Sequence, residues 1–213
     1  MTTLQPRTAT PPSPFRSASE REAERMRKRE ALLLAAVRMF NERGFHATSL
    51  DDVAASLGVT KPVIYHYLGN KDQVLFECVR IGLANLGEAA NAARERHGNG
   101  LERLKFFLRS YSIANMSDFS RCVIRTGDEA LSSESREQFL ALKSEIDKAL
   151  RAMIAEAAAD GSAQIDDVWL TSFTFAGALN WPARWYRDGG GRSAEQIAEQ
   201  MVDLLINGIA PKG

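Results

Sequence analysis

The sequence lacks several features that whole classes of protein require. It has two cysteines among 213 residues, and Cys78 and Cys122 stand neither at a paired spacing nor near a histidine in the sequence. No apolar run reaches the length of a membrane-spanning helix, and residues 1–19 contain no apolar core of a signal peptide. We therefore expect a cytoplasmic protein without a membrane partner, in which both cysteines are reduced and fill the core.

The motifs of common enzyme classes are missing as well. The sequence has no glycine-rich phosphate loop, no Cys/His metal spacing and no nucleophile elbow, and its three histidines are scattered. The pairs Asp128/Glu129 and Asp166/Asp167 are neighbours in sequence, which suits helix capping better than paired acid–base catalysis. We predict that the protein is not an enzyme, with no catalytic residues, no metal site and no cofactor.

What the sequence does have is helical periodicity along most of its length. Apolar residues recur at three- and four-residue spacing from residue 20 to residue 208, and no alternating strand pattern interrupts them. We predict an all-α, nine-helix protein with two domains. The predicted helices cover approximately residues 20–44, 48–57, 60–67, 71–83, 98–113, 119–124, 133–160, 166–187 and 193–208.

Composition divides the chain into three parts. Residues 1–19 hold four prolines among Thr and Ser, so we predict a disordered arm, and an idle tail is favoured over an arm that reaches a partner. Residues 20–70 have the pattern of a small helical domain, and residues 71–213 that of a larger one. The predicted helix that begins at Lys71 leaves the first domain and enters the second, so it is the natural mechanical link between them.

Residues 48–71 carry the most specific pattern in the chain. Four apolar residues line one face of a short helix that ends at Gly58, where a left-handed backbone is needed. Thr48 and Ser49 are candidate caps of this helix; Thr60 can cap a second helix that has Pro62 in its first turn. Two short helices joined by a tight glycine turn make a helix-turn-helix. The four apolar residues are Leu50, Val53, Ala54 and Leu57.

The second short helix is the predicted recognition helix, and double-stranded DNA is the predicted partner. Lys61 is the favoured donor to a base edge, whereas Tyr65 and Lys71 are assigned to phosphates. Pro62 and Val63 offer apolar contact to a thymine methyl. The full predicted DNA-binding set is Thr48, Ser49, Thr60, Lys61, Pro62, Val63, Tyr65, His66 and Lys71.

The distribution of charge agrees with this assignment, although the formal net charge is zero. Residues 1–71 carry 11 Lys and Arg against 7 Asp and Glu, a net of +4, and residues 72–213 carry 16 against 20, a net of −4. Because this asymmetry is modest, contacts to phosphates must depend on the position of the basic residues as well as on their number.

The order and spacing of these motifs resemble the DNA-binding domain of TetR-family transcriptional regulators over roughly residues 29–76. The resemblance implies an N-terminal three-helix domain containing the helix-turn-helix, a C-terminal domain that binds ligand and dimerises, and a palindromic DNA operator. Leu68 stands where the family usually has Phe. The residues that carry the resemblance are Gly44-Phe45, Thr48-Ser49-Leu50, Val53-Ala54, Leu57-Gly58-Val59, Pro62, Ile64-Tyr65-His66-Tyr67 and Lys71-Asp72 with Leu75.

The predicted helix over residues 166–187 is apolar on more than one side, which is typical of a helix buried on both sides. A second subunit would cover the outer side, and in the resembling family the last two helices of each subunit form a four-helix interface. We favour this homodimer over an entirely intrachain core. The predicted interface residues are Ala176, Gly177, Leu179, Ile197, Met201, Leu204 and Leu205.

Aromatic and polar residues at helical spacing are candidates for the wall of a ligand cavity between helices. For any one of them an ordinary core role is the more common interpretation. Arg109 and Asn180 are stronger candidates for contact with a ligand, because each interrupts an apolar stripe and a buried polar group needs a partner. The predicted ligand-binding residues are Phe106, Arg109, Ser110, Ile113, Phe119, Phe139, Phe173, Asn180, Trp181, Arg184 and Arg187.

Residues 180–187, the following Gly-Gly-Gly and the last predicted helix are similar to the C-terminal domain of TetR-type regulators that respond to acyl-CoA thioesters. Trp181 would stack on the adenine and Arg184 and Arg187 would pair with phosphates, but a tryptophan-anchored helix end at a dimer interface would contain the same residues. We expect a repressor of a catabolic operon. A small-molecule effector would release this repressor from its operator, and an acyl-CoA thioester is slightly favoured as the effector. The alternatives are an architectural DNA-binding protein without an effector and a TetR-type efflux regulator that responds to a hydrophobic compound.

Overall fold

The computed structural model describes residues 17–208, which form nine α-helices of seven residues or more and no strand. The predicted all-α fold with nine helices is therefore confirmed. A short 3₁₀ turn, Asp128–Ala130, and a four-residue helical segment, Pro182–Trp185, complete the secondary structure of this range. The nine helices are α1 (Ala18–Arg43), α2 (Leu50–Ser56), α3 (Lys61–Leu68), α4 (Lys71–Arg94), α5 (Gly100–Asn115), α6 (Asp118–Thr126), α7 (Ser133–Ala159), α8 (Val168–Asn180) and α9 (Ala194–Asn207).

Side-chain caps fix where most of these helices begin. At the start of α4 the Asn70 side chain accepts from the Gln73 backbone N–H at 2.9 Å, and the Gln73 side chain accepts from the Asn70 N–H at 3.0 Å. Similar reciprocal caps open α1, α2, α5 and α9. Ser17 provides the cap of α1, so residues 17–19 of the predicted disordered arm belong to a helix start, and residues 1–16 lie outside the described residues.

One predicted helix is interrupted. The periodicity predicted a single helix over residues 166–187, but α8 ends at Asn180, and Pro182 opens the separate four-residue segment. Proline has no backbone N–H to continue the ladder of hydrogen bonds, and the Trp181 N–H instead reaches the Ala178 carbonyl at 3.3 Å. The chain leaves the helical region at Tyr186, before the glycine-rich stretch.

Two large clusters of buried apolar side chains hold the helices together. The first joins α1, α2 and α3 to the N-terminal half of α4, and also includes Cys122 of α6 and Leu131. The second is built by the C-terminal half of α4 with α5, α7, α8 and α9. Because α4 contributes to both clusters, a change in its tilt must affect the packing of both.

Cys78 and Cys122 are free and buried, as predicted for core residues. None of the described helices is both long enough and apolar enough to cross a membrane. Within the same range, no group of three or more His, Cys, Asp or Glu side chains is placed to hold a metal ion.

Candidate nucleic-acid interface and ligand cavity

The tight turn between α2 and α3 has the backbone that the sequence requires. Gly58 has φ of +63°, a conformation that glycine adopts without steric cost. The Val59 N–H donates to the Ala54 carbonyl at 3.0 Å, and the Val59 side chain packs against the first core cluster. Leu57, predicted on the buried face of α2, is 40% exposed because it follows the last helical residue.

Helix α3 is buried on one side only. Ile64 and Leu68 face the core. The opposite side is exposed and carries every α3 residue that was assigned to DNA, namely Lys61, Pro62, Val63, Tyr65 and His66. Thr60 occupies the N-cap position as predicted, but its side chain makes no capping hydrogen bond with the described residues. An exposed, short helix after a glycine turn has the shape needed to enter a major groove.

Thr48 is a correction to the predicted DNA-binding set. Its side chain is only 2% exposed, and its hydroxyl donates to the Gly44 carbonyl at 3.0 Å. The hydroxyl therefore fixes the loop between α1 and α2 and is not available to DNA. Ser49 remains on the surface, where it caps α2 through reciprocal contacts with Asp52.

Lys61 and Lys71 have different partners. The Lys61 ammonium lies 2.6 Å from an Asp51 carboxylate oxygen at the surface, and this hydrogen bond raises the pKa of Lys61. The Lys71 ammonium donates to the Phe45 carbonyl at 2.6 Å and lies 4.2 Å from the centroid of the Phe45 ring. Partial burial lowers the pKa of Lys71. An ammonium has three N–H donors, so Lys71 keeps donors for a phosphate, and its assignment to DNA stays a prediction.

The C-terminal domain has a partly open cavity of about 260 Å³ between α4, α5, α6 and α7, bounded at one side by the end of α8. Most of its wall is apolar. Two of the eleven predicted ligand-binding residues, Phe139 and Asn180, belong to the wall. The lining residues are Cys78, Val79, Gly82, Leu83, Leu86, Tyr111, Asn115, Ser120, Val123, Ile124, Gly127, Asp128, Phe139, Lys143, Ile146, Asp147 and Asn180.

Polar groups of the wall are arranged around Asn180. Its carbonyl oxygen accepts from the Tyr111 hydroxyl at 3.0 Å and from the Asn115 amide at 2.7 Å. Burial raises the pKa of Tyr111, which keeps this hydroxyl protonated as a donor. Lys143 and Asp147, also in the wall, form an ion pair at 3.0 Å. Sequence reasoning missed Tyr111 and Asn115 as lining residues, although Tyr111 lies on the apolar stripe of the predicted fifth helix.

Arg109 was predicted to face an interior ligand, and this prediction is wrong. Its guanidinium pairs with Glu199 at 2.6 Å and with Asp203 at 3.2 Å, both on α9. The charge that interrupts the stripe of α5 is therefore paired by a neighbouring helix through one guanidinium nitrogen, whereas the buried Nε has no hydrogen-bond partner among the described residues. The sequence could not show this, because it does not specify which helix packs against that side of α5.

Other predicted ligand residues also lie away from the cavity. Phe106 lies under the Arg96 guanidinium at 4.5 Å, and Phe173 is exposed and contacts Trp169 with tilted rings, 4.5 Å between ring centroids. Ile113 and Phe119 pack against buried clusters, and Ser110 is half-buried. The residues that do not line the cavity are Phe106, Arg109, Ser110, Ile113, Phe119, Phe173, Trp181, Arg184 and Arg187.

A broader groove of about 860 Å³ lies where the end of α8 meets α9, and it contains part of the predicted coenzyme A platform. Trp181 and Arg187 both line it. Arg184 does not, because its guanidinium points to the Ile124 carbonyl at 3.4 Å. Trp185 and Arg192, which were not assigned to the site, complete the aromatic and cationic part of the wall. Trp185 belongs to the stretch that suggested the platform, so that signal was present in the sequence.

The predicted dimer residues divide between the interior and the surface. Leu179 and Ile197 are buried within the chain, so they are not available to a partner subunit. Gly177 and Leu204 are exposed, and the other three, Ala176, Met201 and Leu205, are half-buried against the chain's own core. Sequence reasoning missed Trp169 and Leu170, which are 60% and 57% exposed on α8.

Comparisons with known proteins bear on both parts of the chain. Residues 97–209 match the family model described as "Tetracyclin repressor-like, C-terminal domain", and residues 32–78 match "Bacterial regulatory proteins, tetR family". The chain is 28% identical to the HTH-type transcriptional repressor KstR2 of Mycolicibacterium smegmatis over 186 residues, which cover 85% of this chain and 90% of that protein.

Solved structures give the same fold. The TetR family transcriptional regulator PfmR from Thermus thermophilus has a TM-score of 0.77 and 30% identity, covering 84% of this chain and 99% of that one. The structure of AibR in complex with isovaleryl coenzyme A and operator DNA has a TM-score of 0.71 and 28% identity, covering 84% of this chain and 97% of that one.

Proposed function

Because the chain belongs to the TetR family and is a DNA-binding transcriptional regulator, we propose that it is a homodimeric repressor that an acyl-CoA thioester releases from a palindromic operator. The choice of effector rests on one observation: consecutive residues at the end of α8 line two different spaces, a cavity and a groove. Asn180 lines the cavity, and the next residue, Trp181, lines the groove that contains Arg187 and Arg192. We assign the protein no catalytic activity.

The volumes of the two spaces favour an effector with two different parts. Cavities for drug-sized ligands usually have volumes of about 300–1,000 Å³, so the cavity of about 260 Å³ is too small for a whole acyl-CoA but suits a short acyl group. The groove outside offers indole rings for an adenine and guanidinium groups for phosphates. A thioester would place its acyl chain against Val79 and Ile146, and its carbonyl near the Asn180 amide.

The relatives support a thioester and a repressor. The related KstR2 is named a transcriptional repressor, and AibR, whose fold is similar, has been solved with isovaleryl coenzyme A and operator DNA. On the DNA side, the exposed face of α3 supplies one reading unit per subunit. Two such units related by a two-fold axis match half-sites one helical turn apart.

Release requires that the effector prefer one arrangement of the subunits over the other. A ligand shifts an equilibrium only by its difference in affinity for the two states. Helix α4 lines the cavity with Val79, Leu83 and Leu86, and its first turn lies directly after α3. An acyl group that fits only one tilt of α4 would therefore change the separation of the two recognition helices.

Ligand binding tests this proposal, with Arg187→Ala and Arg184→Ala as a matched pair. Isovaleryl-CoA and longer acyl-CoA thioesters should raise the melting temperature of the wild-type protein more than free CoA or the free acids do. Arg187→Ala should lose about 1.5–3 kcal/mol of thioester affinity, as for charge-assisted hydrogen bonds, whereas Arg184→Ala should keep most of it. Isothermal titration gives both values. Equal binding of acids and thioesters, or equal losses in both variants, would contradict the groove as the nucleotide site.

A second candidate is release by a small hydrophobic compound without a nucleotide, as in an efflux regulator. Two features of the cavity favour this alternative. Its wall is mostly apolar, and the one lysine that lines it, Lys143, is already paired with Asp147. Such a compound would bind the Arg187→Ala and wild-type proteins equally. The same titrations therefore separate the two functions.

A further inference from the structure

Asp72, in the first turn of α4, makes a polar contact that the proposed function has not used. One carboxylate oxygen accepts from the Ser132 backbone N–H at 2.6 Å. The other accepts from the Ser132 hydroxyl at 3.0 Å and from the Ser135 hydroxyl at 2.7 Å. These residues are 60 and 63 positions away in sequence, so the contact joins the start of α4 to the start of α7.

The contact is suited to hold two helix ends together. Ser132 is the N-cap of α7, and its hydroxyl also accepts from the Ser135 N–H at 3.3 Å. A carboxylate beside two helix N-termini is stabilised by both helix dipoles, and hydrogen bonds to an ionised acceptor are the stronger kind. Burial acts to raise the pKa of Asp72, but the hydrogen bonds from Ser132 and Ser135 outweigh it, so the pKa is lowered and the carboxylate stays ionised.

The α7 end of this contact borders the ligand cavity. Asp128, just before α7, lines the cavity and pairs with Arg136 of α7 at 2.8 Å. Phe139, one helical turn after Ser135, also lines it. A group that enters the cavity and displaces the N-terminal turns of α7 must therefore move Ser132 and Ser135.

The α4 end of the contact borders the DNA-binding surface. Asp72 follows Lys71, whose ammonium holds the Phe45 carbonyl in the loop between α1 and α2. Helix α3 ends only a few residues earlier, at Leu68.

A second attachment runs to another wall of the cavity, because Asn41 of α1 donates to the Asp118 carbonyl at the start of α6 at 2.8 Å. Hydrogen bonds thus attach the DNA-binding helices separately to α6 and to α7. A ligand that moves α6 away from α7 would also move these two attachments apart.

We propose that Asp72 is a positioning residue that transmits occupancy of the cavity from α7 to α4 and so to the recognition helix. This inference rests on the proposed function, in which an effector fills the cavity. Loss of the Asp72 contact would leave operator binding and cavity occupancy possible but would weaken the dependence of one on the other.

A double-mutant experiment tests this role without a known effector. Val123→Phe places a ring in the cavity from α6 as a fixed occupant. Operator affinity is measured by fluorescence anisotropy on a duplex recovered by selection with the wild-type protein. Val123→Phe should weaken operator binding about tenfold in the wild-type background, within the usual range of allosteric coupling, and clearly less in the Asp72→Ala background, which has no side-chain acceptor for Ser132 and Ser135. Should Val123→Phe not fold, Ile124→Phe on the same wall replaces it.

Glu77→Gln is the matched control. Glu77 lies on the same helix, and its hydrogen bonds with the described residues go to Arg29 of α1 at 3.2 Å and Arg80 of α4 at 3.0 Å rather than to α7. The effect of Val123→Phe should stay at about tenfold in this background. An undiminished effect in Asp72→Ala, or an equal reduction in Glu77→Gln, would overturn the role of Asp72. A folded Val123→Phe protein with unchanged operator affinity would instead contradict the cavity as the effector site, and the inference would fall with it.

Discussion

At the scale of the residue, Lys61 and Lys71 show how neighbouring cations acquire different roles. The ion pair of Lys61 with Asp51 is at the surface, where such pairs contribute only about 0–1 kcal/mol, so DNA can replace Asp51 at little cost. Lys71 holds a backbone carbonyl and lies over an aromatic ring while partly buried. Its position is therefore part of the local structure before any DNA arrives.

These environments predict different consequences for Lys61→Ala and Lys71→Ala. Lys61→Ala should relax the preference at one base pair of each half-site by about 1–3 kcal/mol and leave the melting temperature unchanged. Lys71→Ala should weaken binding to all sequences, reduce the salt-dependence slope by about one per subunit and lower the melting temperature. Anisotropy over a salt series, with operator and scrambled duplexes, measures both. An unchanged slope in folded Lys71→Ala would leave Lys71 a purely structural role.

The exposed face of α3 could be predicted from the sequence more reliably than the contacts of individual side chains. Exposure of Lys61, Val63 and Tyr65 follows from helical periodicity, because Ile64 and Leu68 must face the core. Thr48 could not be classified in this way, since its burial depends on the path of the loop that brings the Gly44 carbonyl to its hydroxyl. The prediction for Arg109 was wrong for a related reason, because its carboxylate partners belong to a helix about 90 residues away in sequence.

At the scale of the element, α4 is the only one of the helices between residues 17 and 208 that contributes several residues to both large core clusters. Its 24 residues correspond to a rod of about 36 Å at the usual rise per residue. A rod packed at both ends transmits a tilt rather than absorbing it. For this reason the Asp72 contact at one end and the cavity wall near its middle can act on the same motion.

Helix boundaries were largely predictable because they depend on residues close to them in the sequence. Capping residues such as Ser49, Asn70 and Ser193 mark helix starts, and glycines mark several of the ends. The break after Asn180 was missed because proline is tolerated in the first turn of a new helix, and the apolar pattern continues across it. Which helices pack together was not predictable in this way, since that depends on side-chain contacts between distant segments.

Gly100 gives a test of helix packing. It is the first residue of α5, and a Cβ there would lie 2.6 Å from the Ala157 backbone of α7. Gly100→Ala should therefore lower the free energy of unfolding by about 1–3 kcal/mol, as other overpacked substitutions do. Gly87→Ala is the control, because a Cβ in the middle of α4 meets no described atom within 4 Å. It should raise the free energy of unfolding by about 0.5–1 kcal/mol.

Urea denaturation at one protein concentration measures both values, because an oligomer's stability depends on concentration. If Gly100→Ala were as stable as Gly87→Ala, the close approach of the α5 and α7 backbones would be wrong. Equal losses in both variants would point to α4 packing more closely than the structure has it.

At the scale of the whole molecule, the charge is distributed to favour DNA at one end. Residues 1–71 have a net charge of +4 and residues 72–213 a net charge of −4. In a dimer two basic ends would act together on one duplex, while the acidic remainder would be repelled by it. Such a field orients the protein during encounter, and its effect should decrease with ionic strength.

Within the described residues, an apolar surface is exposed on α8 and α9. Trp169, Leu170, Phe173 and Leu204 are each more than half exposed. Exposed apolar patches of this kind mark interaction sites in soluble proteins. A second copy of the chain fits this surface, because a two-fold axis presents the same apolar face from the partner. This surface supports the homodimer and adds Trp169 and Leu170 to the residues proposed for its interface.

Gly177→Arg tests the dimer at its proposed centre. A Cβ at Gly177 meets no described atom within 4 Å, so the substitution should leave the folded subunit intact. Across a two-fold axis, however, the new guanidinium would be buried against its own like-charged copy. We expect wild-type protein to sediment as a dimer at micromolar concentration and Gly177→Arg as a folded monomer.

The control for this substitution is Leu142→Arg, which puts the same charge on an exposed leucine of α7 and should leave the dimer intact. Because both half-sites must be held at once, the Gly177→Arg monomer should also lose most of its operator affinity while keeping weak non-specific binding. A wild-type monomer at micromolar concentration would end the dimer hypothesis. A Gly177→Arg dimer would place the interface elsewhere, and the exposed face of α8 would then need a different partner.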